Sequence, residues 1–222
     1  WYTTPFQRVA LCNVDIVIGS GYENEMLANY QTNIDCKYYA NVILKKESWI
    51  KRKHSATTIR GDKNFDGQTG LGVNSLTSRA SHYNLLDWKE SKDLIDCIKE
   101  SYIIFCNDKE PIYVHCWANV MRAGDQIGEH RHGIYPYTFD YFSGHLGIMV
   151  DGTTSTYYRT NDEVLGEKNK EGQITFFSSP YLHWTDQYNG DSTRITIAFD
   201  IRTPWQFNTD IIKEARFLWK KI

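Results

Sequence analysis

The sequence predicts a mainly β fold of the α+β class, with a jelly-roll core and flanking helices. Residues 111–203 contain short strand-like runs that Gly, Asp and Pro separate at close intervals, as in sandwiches and barrels. Aromatic residues make up 14% of the chain, which suits a fold rich in sheet. Helical patterns lie outside this region, at about Leu86–Ile103 and about Thr209–Leu218.

The chain is expected to form a single domain of residues 1–222. Barrels and sandwiches often reach this length undivided, and 41% hydrophobic residues are enough to build a core. Within the domain, residues 1–110 are expected to supply helical and strand support. Residues 111–203 form the jelly-roll core, and residues 204–222 a C-terminal helix.

Three segments of the N-terminal half have recognisable patterns. Cys12–Ile18 is apolar and ends at Gly-Ser-Gly, which predicts a buried strand. Glu23–Tyr30 is expected to form a short helix. Ile59–Leu76 is rich in Gly, Asp, Asn and Thr and is therefore expected to be a long loop.

The clearest helix is expected between about Leu86 and Ile103. Asp87 is its candidate N-cap, and Glu90 follows three residues later, the spacing of a capping box. One apolar stripe then recurs every four residues, at Leu94, Ile98 and Tyr102.

The C-terminal half changes to the short periods of strands. The predicted extended segments are Ile112–Met121, Gln126–His132, Ser143–Val150, Thr154–Arg159, Gln173–Phe177, Tyr181–Thr185 and Thr193–Ile201. Asp151 and Gly152 form a typical two-residue hairpin turn between the third and fourth of these segments. The last segment alternates polar and apolar residues, so one of its faces is expected to enter the core.

Charge and cysteine content exclude several classes of partner. The formal net charge is -2, so no attraction to nucleic acid or to an anionic membrane is indicated. Apolar runs are too short for a transmembrane helix, and no signal-peptide pattern is present. The five cysteines are irregularly spaced without a CxxC pair, which predicts free thiols in a reducing, cytoplasmic setting and no sulfur-bound zinc.

A histidine pair marks the candidate chemistry. His130 and His132 are two residues apart on an extended segment, so their imidazoles share one face and can bind the same transition metal. His183 precedes the terminal strand and is the candidate third ligand. Three protein ligands leave positions open for a chelating co-substrate and dioxygen, as non-haem iron oxygenases require.

A candidate anion anchor follows these histidines. Arg194 and Thr196 lie two residues apart on the last predicted strand and therefore share a face. A guanidinium beside a hydroxyl suits the far carboxylate of a dicarboxylate chelator whose near end occupies the metal.

Six segments between residues 111 and 201 carry a more specific pattern. They are WANVMRAGD at 117–125, HRH at 130–132, SG at 143–144, GQITFFSS at 172–179, His183, and RITIAF at 194–199. Together they resemble a family of 2-oxoglutarate and iron(II)-dependent oxygenases.

The resemblance implies a double-stranded β-helix core flanked by helices. It also implies Fe(II) held by His130, His132 and His183, and 2-oxoglutarate held by Arg194 and Thr196, with Asn119 as a further co-substrate residue. The implied activity is decarboxylation of 2-oxoglutarate with dioxygen, coupled to hydroxylation of a substrate that the sequence does not identify.

The sequence departs from the superfamily pattern at His132. That pattern has Asp or Glu at this position, so either the metal has three histidine ligands or a carboxylate, Asp140 or Glu129, replaces one of them. We favour three histidines, because Glu129 is adjacent to His130 and points to the opposite face.

Two other functions are compatible with the same histidines. One is a three-histidine dioxygenase of the cupin type, which binds its substrate directly to iron and does not use 2-oxoglutarate. The other is a non-catalytic jelly-roll module that holds a structural metal.

Overall fold

The computed structural model describes residues 14–17, 27–56, 69–132, 141–159, 163–211 and 213–222. Parts of four predicted segments lie outside these residues: 12–13 and 18 of the first strand, 23–26 of the short helix, 59–68 of the long loop, and 212 of the closing helix. Asp140, an alternative metal ligand, also lies outside them.

The described residues form two antiparallel sheets. The strands are β1 Val14–Val17, β2 Leu27–Gln31, β3 Tyr113–Met121, β4 Phe142–Met149, β5 Ser155–Arg159, β6 Val164–Lys168, β7 Gln173–Ser178, β8 Leu182–Thr185, β9 Arg194–Arg202 and β10 Lys220–Lys221. The large sheet has the order β1-β2-β7-β4-β9-β3-β10, and the small sheet has the order β6-β5-β8. Between β4 and β9 the chain passes repeatedly from one sheet to the other, and this two-sheet antiparallel arrangement confirms the predicted jelly-roll core.

Helices cover the large sheet and join its strands. The α-helices are α1 Cys36–Lys53, α2 Lys92–Cys106 and α3 Pro204–Asp210, and short 3-10 helices span Thr77–His82, Leu85–Asp87 and Lys213–Leu218. No helix in the described part of the chain is long and apolar enough to cross a membrane.

Strand β9 separates the core from an internal cavity. It pairs with β3 on one side and with β4 on the other. Its apolar residues enter a core shared with α1 and α2: Ile195, Ile197, Phe199 and Ile201. The alternate residues line the cavity between the sheets: Arg194, Thr196, Ala198, Asp200 and Arg202. The predicted alternation therefore places hydrophobic burial on one face and polar chemistry on the other.

The predicted helix Glu23–Tyr30 is wrong where the structure describes it. Leu27–Gln31 is strand β2, which pairs with β1 on one edge and β7 on the other. Its first four residues are all buried. Pairing on both edges satisfies the backbone and buries both faces, which outweighs a local helical preference.

The helix predicted from Leu86 starts later, as α2 at Lys92. Leu85–Asp87 forms a 3-10 turn that Asn84 caps by accepting a hydrogen bond from the Leu86 amide. Asn84 also donates hydrogen bonds to the carbonyl oxygens of Val114 and Leu218. Because these contacts fix the turn, Asp87 is not the cap of the long helix.

Three further differences from the sequence-based expectations concern one turn and two helices. Asp151-Gly152 is not a hairpin turn, because β4 belongs to the large sheet and β5 to the small one. The closing helix is split into α3 and the 3-10 helix Lys213–Leu218. Helix α1 was not predicted, although its buried residues form a helical stripe: Tyr39, Ala40, Ile43, Glu47 and Ile50.

Gly144 on β4 is expected to tolerate no side chain. A Cβ atom there would overlap the ring of Phe199 and the carbonyl oxygen of Thr175, which belong to the two neighbouring strands. We expect Gly144→Ala to lower the free energy of unfolding by about 1–3 kcal/mol, measured by urea denaturation.

Gly128→Ala is the matched control, because the nearest atom to its Cβ, the Thr69 carbonyl oxygen, is 3.6 Å away. We expect that variant to change stability by less than about 1 kcal/mol. Equal effects at both positions would contradict the packing of β4 between its neighbours.

Candidate metal centre

The predicted histidine pair lies on an extended segment beside β8. The His130 amide donates to the His183 carbonyl oxygen at 3.0 Å, and the His183 amide returns a bond to His130 at 2.8 Å. The His132 amide donates to the Ser179 carbonyl oxygen at 3.2 Å. This backbone pairing places residues that are distant in sequence side by side at the edge of the small sheet.

The structure brings the three predicted histidines together. Their ring centroids are 4.2 Å apart for His130 and His183, 4.9 Å for His132 and His183, and 5.4 Å for His130 and His132. One ligand nitrogen from each lies within 4.8 Å of the other two. Three convergent imidazoles are a donor set that a transition metal such as iron prefers.

Each imidazole is oriented through its Nδ1 atom. His130 Nδ1 is 2.8 Å from the Gly128 carbonyl oxygen, and His183 Nδ1 is 3.0 Å from the Tyr181 carbonyl oxygen. A carbonyl oxygen can only accept a hydrogen bond, so the proton of both rings is on Nδ1. A ring protonated on Nδ1 carries its lone pair on Nε2, the atom that can bind a metal.

His132 is held by side chains instead of backbone. Its Nδ1 is 2.6 Å from Asp200 Oδ1 and 3.0 Å from Ser143 Oγ. The Ser143 hydroxyl also donates to Asp200 Oδ1 at 2.7 Å. Burial alone would raise the pKa of the Asp200 carboxyl, but the charge and hydrogen bond of His132 and the Ser143 hydroxyl hold it below its ordinary value.

His183 is buried and kept neutral. Burial lowers its pKa well below the ordinary value, and the neighbouring His130 and His132 lower it further by charge repulsion. Neutral imidazole is the form that binds a metal. The surroundings of His183 therefore favour its metal-binding form.

A cavity of about 500 Å³ joins these histidines to the polar face of β9. Arg194, Thr196 and Asn119 line it towards the start of that strand. His115 and Arg202 line it towards the strand's end. The histidine cluster lies beside Asp200, between these two regions.

Arg194 is a buried cation. Its residue is 2% exposed, and its guanidinium donates to Asn169 Oδ1 and to Met121 Sδ. Its Nε atom is buried without a hydrogen-bond partner, and no ion pair forms between Arg194 and any described carboxylate. Burial lowers the pKa of this guanidinium to about 10. The charges of Asp151 and Asp186 oppose this lowering of the pKa, but neither carboxylate forms an ion pair with the guanidinium, so the cavity favours an anion at this position.

The other two predicted co-substrate residues are adjacent. Asn119 Nδ2 donates to Thr196 Oγ1 at 3.4 Å. Asn119 Oδ1 in turn accepts a hydrogen bond from the Thr77 hydroxyl at 2.6 Å. These bonds orient the two side chains within the cavity wall.

The alternative carboxylate Glu129 is engaged elsewhere. Its Oε1 is 2.6 Å from Arg159 Nη2, and its side chain is 42% exposed. It is not a member of the histidine cluster.

Sequence reasoning missed three residues of the cavity region: Asp200, Asn169 and Tyr158. Asp200 and Asn169 contact predicted site residues, and His145 and Tyr158 are joined by a 2.6 Å hydrogen bond between Nε2 and Oη. A signal existed for Asp200, which continues the two-residue alternation of Arg194 and Thr196. Asn169 directly follows β6 and had no such signal.

Stability is expected to fall in acid through His145. Burial, aided by the charges of Arg194 and His132, lowers its pKa from 6.5 to about 3, so the folded protein holds it neutral while the unfolded chain binds a proton. This contribution is complete above pH 6.5 and is lost as the pH falls towards 3. We expect His145→Gln to reduce the pH dependence of the metal-free protein by at most about 1.4 kcal/mol per pH unit.

Urea denaturation between pH 7.5 and 5 measures this slope, and His82→Gln, at an exposed histidine, is the control. A slope unchanged by His145→Gln would contradict a neutral, enclosed His145.

Comparison with known proteins finds matches to the fold but none to the sequence. No family model and no curated protein matches this sequence. The fold does match solved structures, among them the viral collagen prolyl hydroxylase vCPH from Paramecium Bursaria Chlorella virus-1 in its 2OG complex. That protein is 15% identical, with a TM-score of 0.52 over 80% of this chain and 96% of the viral chain.

Two more solved structures extend the match. A Pseudomonas putida prolyl-4-hydroxylase has a TM-score of 0.53 at 9% identity, over 80% of this chain and 92% of its own. The non-heme alpha ketoglutarate dependent carbocyclase SnoK from nogalamycin biosynthesis has a TM-score of 0.55 at 9% identity, over 81% and 80%. The chain therefore has the double-stranded β-helix fold of the 2-oxoglutarate-dependent oxygenases, as predicted.

Proposed function

We propose that this chain is a 2-oxoglutarate and Fe(II)-dependent oxygenase that hydroxylates a substrate. The observation that carries the proposal is one cavity containing both three convergent imidazoles and a buried arginine without a carboxylate partner among the described residues. Neither feature is needed for the hydrophobic core. Each is explained by a ligand: the imidazoles by a metal, and the arginine by an anion.

His130, His132 and His183 would hold the iron. All three Nδ1 atoms are engaged by acceptors, so the Nε2 atoms that remain suit a metal. When bound, the iron would supply the chemistry that converts 2-oxoglutarate and O₂ to succinate and CO₂ and adds one oxygen atom to a substrate C–H bond.

Arg194 and Thr196 would bind the far carboxylate of 2-oxoglutarate. The guanidinium is held by Asn169, which itself donates to Thr156 Oγ1 at 2.9 Å. A guanidinium that is fixed in advance loses little freedom on binding. Asn119 orients the Thr196 hydroxyl from the neighbouring strand.

The rest of the cavity would receive the substrate. Its wall towards the end of β9 includes the rings of His115, Trp117 and Trp219. Large rings at this position would exclude water from the reacting centre.

We place the protein in the cytoplasm. Cys36, Cys97, Cys106 and Cys116 are free thiols, which supports a reducing compartment.

Anaerobic addition of Fe(II) and 2-oxoglutarate is expected to give a weak visible charge-transfer band. Arg194→Ala should weaken 2-oxoglutarate binding by about 10²-fold or more, because charge-assisted bonds to a buried carboxylate are lost, and should leave iron binding nearly unchanged. Titration of the band measures both constants.

Arg159→Ala, at an arginine whose side chain is 52% exposed, is the matched control and should retain the band. A wild-type protein that binds iron without the band would refute the co-substrate. Oxygen uptake that needs substrate but not 2-oxoglutarate would favour the cupin-type dioxygenase, and a metal without exchangeable water would favour a structural module.

The choice between His132 and Glu129 can be tested by substitution. We expect His132→Ala to weaken Fe(II) binding by at least about 10²-fold, because one of three ligands is removed. Glu129→Gln should leave binding unchanged, since this carboxylate pairs with Arg159. Isothermal titration under anaerobic conditions distinguishes them, and the reverse order of effects would replace His132 by Glu129 as the ligand.

A further inference from the structure

We propose that Asp200 is the carboxylate of this metal centre and that it acts on the metal through His132. The inference rests on the metal site proposed above. Asp200 would be a positioning residue: it fixes the ring of His132 and supplies a negative charge beside a site whose direct ligands are all neutral.

The contacts of Asp200 are directed at His132. Its Oδ1 accepts from His132 Nδ1 at 2.6 Å and from Ser143 Oγ at 2.7 Å. Ser143 and Asp200 are direct partners in the pairing of β4 with β9. The carboxylate is therefore held by the central strands of the large sheet, and its position does not depend on a loop.

His132 differs from the other two ligands in this respect. His130 and His183 place Nδ1 against neutral backbone carbonyls within their own segments. The Nδ1 partner of His132 is a carboxylate. It is also the ligand at the position where the sequence pattern of related oxygenases has an acid. Residue 132 is therefore a histidine where the pattern has an acid, and the carboxylate of Asp200 accepts a hydrogen bond from that histidine.

The physical consequence concerns charge and basicity. Three neutral imidazoles leave the full charge of a divalent ion in a poorly hydrated site. A carboxylate that accepts the Nδ1–H bond increases the electron density at Nε2 and lowers the net charge of the site. It also prevents rotation of the ring. Asp200 would in this way supply much of the negative charge that a directly bound carboxylate provides.

Co(II) binding tests this role without depending on turnover. Asp200→Asn keeps the size and one acceptor oxygen but removes the charge, and we expect it to weaken Co(II) binding by about 10–100-fold. Asp96→Asn is the matched control, because it makes the same substitution at an exposed carboxylate of α2 that pairs with Lys92. It should bind Co(II) nearly as tightly as the wild-type chain.

The outcomes separate this inference from the function on which it rests. Wild-type protein that does not bind Co(II) would overturn the metal centre and the proposed oxygenase. Wild-type protein that binds Co(II) no more tightly than folded Asp200→Asn would overturn only the role of Asp200.

A second measurement does not require the Asp200 variant to fold. In wild-type protein loaded with Co(II), proton NMR should show three exchangeable, hyperfine-shifted N–H signals, one for the Nδ1–H of each ligand. His132→Gln should remove one of them. A wild-type spectrum without an N–H signal for His132 would contradict a hydrogen bond from its Nδ1 to Asp200.

Discussion

The two-sided pairing of β9 is the constraint on which the rest of the structure depends. A strand hydrogen-bonded along both edges cannot rotate, so its alternate side chains are committed to opposite faces. One face carries Ile195, Ile197 and Phe199 into the core under α1 and α2. The other presents Arg194 and Asp200 to the cavity. A shift of one residue would exchange core and site, which is why the register is strongly specified.

The pairing of β9 also fixes where charged side chains lie in the cavity. Arg194 is the first residue of β9 and Asp200 lies near its end, where His132 contacts the carboxylate. Each charge is buried at a cost that the core must offset. Asp200 is partnered by His132, whereas the partners of Arg194 among the described residues are the uncharged Asn169 and Met121. On this difference rests our proposal of an anion at one end of the cavity and a metal at the other.

Several elements could not be read from local pattern because distant partners decide them. The local pattern of Glu23–Tyr30 favours a helix, but β1 and β7 pair with both edges of β2, which spans Leu27–Gln31. Asp151-Gly152 has the residues of a hairpin turn but connects two different sheets. Helix α1 was overlooked because its exposed basic residues obscure the buried stripe that includes Ile43 and Ile50. In each case the deciding contacts join residues far apart in the chain.

The sequence by itself determined the fold class, the candidate ligands His130, His132 and His183, and the shared face of Arg194 and Thr196. These depend on the two-residue period of a strand, which is a local property of the backbone. Only the tertiary structure decided that the segment of His130 and His132 pairs beside β8, which brings the three imidazoles together. It also decided that the Asp200 carboxylate accepts a hydrogen bond from His132. Such contacts arise when sheets pair and pack, and no spacing within one segment encodes them.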